Sequence, residues 1–82
     1  MHDLDVSGLR RPAPILKLRR LLKRLPPGER VRLVGDDPAL VDDVPSYCAQ
    51  AGHRLIHAED SGGRLAFEIA RGAIAPRLTI VE

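Results

Sequence analysis

Residues 8–22 read GLRRPAPILKLRRLL, and the change of rhythm inside this run decides the fold. Proline lacks an N–H and holds φ fixed, so Pro12 and Pro14 suit the first turn of a helix and little beyond it. From Pro12 to Leu25, at about 100° per residue, Ile15, Leu18, Leu21, Leu22 and Leu25 gather on one side of the circle. Lys17, Arg19, Arg20, Lys23 and Arg24 occupy the other. This predicts a sharp loop-to-helix junction and then an amphipathic helix with a basic outer face. Upstream, Asp3-Leu4-Asp5-Val6 alternates polar and apolar and stops at Ser7-Gly8, which predicts a short strand with Leu4 and Val6 inward.

Downstream, Pro26-Pro27-Gly28 ends the helix, and Glu29 to Val34 reads as a strand with Val31 and Leu33 on one face and Arg30 and Arg32 on the other. Gly35-Asp36-Asp37-Pro38 is a turn into a second helix, with Asp37 as N-cap and Pro38 at the first helical position. Leu40, Val41, Val44, Tyr47, Cys48 and Ala51 share one face of that helix. Pro45 is expected to kink it or delay its start. After Gly52, residues His53 to Glu59 form a strand joined through Asp60-Ser61-Gly62-Gly63 to a last strand, Arg64 to Arg71. There Leu65, Phe67 and Ile69 alternate with Ala66, Glu68 and Ala70, the pattern of a sheet covered on one face and wet on the other.

The order is therefore β-α-β-α-β-β, an α/β two-layer sandwich with both helices on one face of a mixed four-stranded sheet. Residues 1–72 make up this domain. Residues 73–82, ending in LTIVE, form a C-terminal extension that serves as an edge strand, a dimer contact or a docked tail.

Bulk composition narrows the function. Eighty-two residues with 44% apolar and 29% charged side chains make one globular domain with no room for a separate catalytic one. Tyr47 and Phe67 are the only aromatics, too few for base-stacking platforms. A single cysteine, Cys48, excludes an intramolecular disulfide and a multi-thiolate metal site, and fits a reducing compartment. No apolar run has the length of a membrane span or a signal core, so a cytoplasmic protein without membrane contact is expected.

The residue just ahead of Pro12 lies at the positive end of the helix dipole, where an anion such as a thiolate would be stabilised. That residue is Arg11. Taken with PPGERVRLVGDDPALVDDVPSYCAQAGHRL and the short hairpin ending near Gly72, the run from Gly8 resembles the TusA/SirA-like sulfur-carrier family over roughly residues 3–72. The resemblance implies a βαβαββ two-layer fold and a Cys-Pro-x-Pro signature opening the first helix. Its cysteine would take sulfur from a cysteine desulfurase as a persulfide and pass it to a partner, in one case toward tRNA thiolation. Gly8 and Leu9 match the lead-in, Pro12 and Pro14 match the prolines, and Arg11 stands where the cysteine belongs. Guanidinium cannot form a persulfide, so no catalytic residue is assigned. The niche outlasts the thiol.

The remaining candidates have plain readings. Cys48, amid the apolar arc of the second helix, reads as packing, because buried thiols have raised pKa values and are inert. His53 and His57 fall on one strand face about 13 Å apart, too far to share a metal, and no metal or cofactor is expected. Asp36, Asp37, Asp42 and Asp43 read as capping and dipole complements of the second helix. Leu16 projects into the middle of the basic arc, near the Arg10-Arg11 corner. Arg10, Arg11, Leu16, Lys17, Arg20 and Lys23 are therefore expected to bind an acidic protein partner, of a sulfur-transfer pathway as the resemblance implies. The resulting expectation is a non-catalytic binding or regulatory module. The alternatives are a working sulfurtransferase using Cys48, and association with RNA or tRNA through the basic helix.

Overall fold

The computed structural model describes residues 1–73; the expectations for the extension from residue 74 onward lie outside the described residues. The elements run β1 (His2–Asp5), α1 (Ala13–Arg24), β2 (Arg30–Gly35), α2 (Leu40–Ala51), β3 (Arg54–Ser61) and β4 (Arg64–Ala70). They form a four-stranded sheet in the order β1-β2-β4-β3, with β1 parallel to β2 and the other pairs antiparallel. The expected β-α-β-α-β-β order and mixed sheet are therefore present.

Both helices lie on one face. Leu18 and Leu22 of α1 and Leu40, Val44 and Cys48 of α2 share a single buried cluster with Val31, Leu33, Leu65, Phe67 and Ile69, strand residues of one parity. Val6, just past β1, is 1% exposed and completes the cluster. Its backbone N–H still donates to the Val34 carbonyl, so β1 ends one residue earlier than expected while its inward side is as predicted. The opposite face carries a row across all four strands: Asp3 opposite Arg32, Arg32 opposite Glu68, Glu68 opposite His57. Charges alternate from Asp3 through Arg32 to Glu68, the pairing that sheets favour. Ala66 and Ala70, expected on the wet side, are also buried, because β4 is an inner strand flanked by longer side chains.

Several local expectations are corrected. Helix α2 starts at Leu40 rather than Pro38, and Asp37 does not cap it; Pro38 and Ala39 form a turn ahead of it. Pro45 sits inside a helix that continues to Ala51, at an exposed position where its missing N–H costs one backbone bond. Strand β3 runs on to Ser61, and the hairpin turn is the pair Gly62-Gly63, with φ of 63° and 91°, a conformation that only glycine adopts freely. A register shift between Leu55 and His57 leaves Ile56 as a bulge. His57 is thereby carried to the open face, so His53 and His57 do not share a strand face.

Candidate functional site

Because β1 and β2 are parallel neighbours, with Asp5 opposite Val34, the segments that follow them leave the sheet at the same end. The loop Ser7–Pro12 and the turn Asp36–Ala39 are thus brought together, and the contacts between them build the site. Asp36 accepts the Gly8 N–H at 3.0 Å and the Arg10 guanidinium at 2.9 Å, both on Oδ1. Asp37 accepts the Arg11 N–H on Oδ2 at 2.9 Å and the Ala39 N–H on Oδ1 at 3.0 Å. The Arg11 guanidinium reaches across to Asp43 Oδ1 at 2.8 Å.

These contacts determine the protonation of the corner. The Gly8 N–H, and then Arg10, hold the Asp36 carboxyl below the usual carboxylate range. The Ala39 and Arg11 N–H groups do the same for Asp37, which is only 7% exposed. Hydrogen bonds donated to the ionised form favour it. The niche ahead of α1 therefore has its anion, supplied by the chain itself through Asp37.

The helix that opens there starts at Ala13, with Pro14 buried at its second position. Gly8 has a φ of 84°, and Leu9 is half-buried against the core. All four expected niche residues lie on this one path: Gly8 and Leu9 approach, Pro12 precedes α1, and Pro14 enters its first turn. The side chain presented is Arg11, mostly exposed and turned toward α2. It is a donor with no lone pair available for sulfur.

The six expected partner-binding residues divide into two groups. Arg10 and Arg11 are ion-paired within the chain, whereas Lys17, Arg20 and Lys23 on α1, with Arg19 and Arg24, have no carboxylate partner among the described residues. Helix α1 contains no acidic residue, and Leu16 stands 42% exposed among these cations. The acidic residues were expected only to complement α2. Asp43, with Asp42, does stand in the first turn of α2, but Asp36, Asp37 and Asp43 also bind the facing loop, a role that the spacing alone does not contain. The signal that could have found it is topological: two adjacent acids at the end of a strand parallel to the one leading into the loop.

Cys48 is 2% exposed, and burial pushes its thiol pKa up to about 11. It lies in the core cluster rather than at the corner. His53 accepts the Gly72 N–H on Nδ1 at 2.9 Å, while His57 sits 3.0 Å from Glu59 on the open face. Among the described residues no group of His, Cys, Asp and Glu could hold a metal ion, and no helix is long and apolar enough to cross a membrane.

Residues 2–71 match the family model described as Sulfurtransferase TusA. Among solved structures, the chain is similar to a SirA-like protein from Desulfitobacterium hafniense, with a TM-score of 0.77 and 20% identity. The match covers 88% of this chain and 99% of that one. At that identity the likeness concerns the fold.

Proposed function

Since the chain belongs to the TusA family, whose members work with protein partners in sulfur relay, we propose that it is a non-catalytic member. It would bind an acidic protein partner of such a relay in the cytoplasm. The observation that carries this reading is the cationic face of α1, without carboxylate partners among the described residues around an exposed Leu16, beside a helix opening that presents Arg11. A carrier must present its reactive residue to its partners, so the docking surface adjoins the niche, and losing the thiol leaves that surface intact. A small apolar anchor within a ring of charge gives fast, salt-sensitive association. Arg10 and Arg11, already engaged with Asp36 and Asp43, frame this surface rather than supply its free charge.

The test is affinity capture with wild type and with the Leu16→Ala, Lys17→Glu, Arg20→Glu variant, both checked by circular dichroism. An acidic protein retained by the first and lost by the second supports the reading. Identical partner profiles would show the basic side to be a solvated face. Nuclease-sensitive capture would favour the RNA alternative, and a gain of one sulfur on Cys48 after incubation with a cysteine desulfurase and cysteine would favour the sulfurtransferase.

A further inference from the structure

Between α2 and the edge strand β3, the helical side of the sheet is left uncovered, and the surface opens into a groove of about 190 Å³. Val41 and Pro45 of α2 form one wall, Ala58 and Asp60 of β3 the other, and Leu65 and Phe67 the floor. Val41 is 54% exposed, although it belongs to the apolar set of its helix. Ala58 is likewise exposed, although the register places it opposite Phe67 on the side that the helices cover. Asp60 already accepts the Gly63 N–H, and the Glu59 carboxylate turns to His57 on the open face, so what the groove offers an occupant is apolar. One backbone acceptor accompanies it: Pro45 has no N–H, so the Val41 carbonyl lacks its helical donor.

The chain leaves the domain at the near end of this groove. Gly72 donates its N–H to His53 Nδ1 at 2.9 Å and lies against the carbonyl of Gly52, the C-cap of α2. Both walls start from that corner, α2 ending there and β3 beginning there. Ala58 and Asp60 lie further along β3, about 17–23 Å from His53 at the rise of a strand. Past Gly72 come Ala73 and then IAPRLTIVE, residues 74–82. In an extended chain at about 3.3 Å per residue, Leu78 reaches about 20 Å from Gly72 and Ile80 about 26 Å. Alternate residues share a face of an extended chain, so these two apolar side chains arrive at the groove together.

We infer that the α2–β3 groove is the docking site of the chain's own C-terminal segment, residues 77–82, with Leu78 and Ile80 set against Val41, Leu65 and Phe67. Two features select this occupant. The Gly72 anchor holds the segment within reach of the groove at an effective concentration on the order of millimolar, which a second copy meets only at that bulk concentration. The bulge at Ile56 breaks the ladder along the outer side of β3, and Pro76 has no N–H to give it, so a fifth strand is disfavoured while burial of alternate apolar side chains is not. The segment then covers the part of the sheet that α1 and α2 leave open, and withholds the groove from other proteins.

The test uses the full chain and reads trypsin cleavage of the Arg77–Leu78 bond by intact mass. Cleavage requires the segment to leave the groove, so it should run about tenfold or more faster in Val41→Asp and in Ile80→Asp than in wild type. Val41 is exposed and residue 80 lies outside the domain, so both variants keep the fold, which circular dichroism checks. In wild type, nuclear Overhauser contacts should join the Leu78 and Ile80 methyl groups to Val41 and Phe67. Equal cleavage rates, or the absence of those contacts, overturns the inference. Contacts from the segment's backbone to the backbone of β3 instead would mean a fifth strand, and overturn the groove as its site. Protection that grows with protein concentration, with a dimer in analytical ultracentrifugation, would mean that the segment occupies the groove of a second copy, and overturn the choice of the chain's own.

Discussion

The backbone N–H of Arg11 donates to the Asp37 carboxylate at 2.9 Å, so the peptide group at the helix opening is bound to an anion that belongs to the next loop. Asp37 accepts from Ala39 as well, and so ties the start of α1 to the turn before α2. Replacing it by alanine leaves two N–H groups without partners at a site almost closed to water. Asp37→Ala should lower the melting temperature by about 5 °C or more, with Asp37→Asn intermediate. Thermal denaturation followed by circular dichroism measures both.

The same corner sets an acid limit. Asp36 and Asp37 titrate below their ordinary value of 3.8 in the folded chain, so the stability they contribute is complete above that value and is lost as pH falls below it. Denaturant midpoints should therefore hold steady from neutrality to about pH 4 and then decline. The decline should be shallower in Asp37→Asn, which has one fewer carboxylate to protonate.

Arg11→Cys would place a thiol in the niche. The helix end and Arg10 favour a thiolate there, while Asp37 and Asp43 oppose it. The thiol of the single variant should titrate near the ordinary value of about 8.5. Adding Asp43→Asn should lower its pKa by about half a unit or more, as read from alkylation rate against pH. Equal values in the two variants would mean that Asp43 does not reach this position.

Cys48 should behave as a core residue. With its thiol raised to about 11, folded protein should react with alkylating agents far more slowly than unfolded protein, even at pH 9. A thiol held neutral by burial adds stability that is complete below its ordinary value of 9.0 and declines as pH rises above it. Cys48→Ser, which buries a hydroxyl, should cost about 1–3 kcal/mol.

Gly72 closes the domain. A Cβ there would run into the Gly52 carbonyl oxygen, a backbone atom at the end of α2 that cannot rotate away. Gly72→Ala should cost about 3 kcal/mol. It should also release the Gly72 N–H from His53, visible as a shift of the His53 ring resonances.

The layers and their order were legible in the sequence because the two periods are clean: Leu18 and Leu22 repeat on a helix, and Val31 and Leu33 alternate on a strand. The two prolines located the niche for a similar reason, since their backbone restrictions are local. What escaped was long-range. Nothing near Asp43 announces a bond to Arg11, thirty-two positions away; it exists because β1 and β2 are parallel and end together. Pro45 does not interrupt α2, because an exposed helix position tolerates one lost hydrogen bond when the rest of the helix is packed. The histidine spacing failed for a single reason, the extra residue at Ile56.

That extra residue also bears on how the sheet avoids pairing with other sheets. Strand β3 is the outer edge of the sheet, and a straight outer strand is an open invitation for another sheet to extend it. The irregularity at Ile56 breaks the even spacing of backbone donors and acceptors, and His57, Glu59 and Asp60 follow it with charge. Strand β1, at the opposite margin, is four residues long and carries Asp3 and Asp5. Extension of the sheet by another chain is thereby discouraged at both margins.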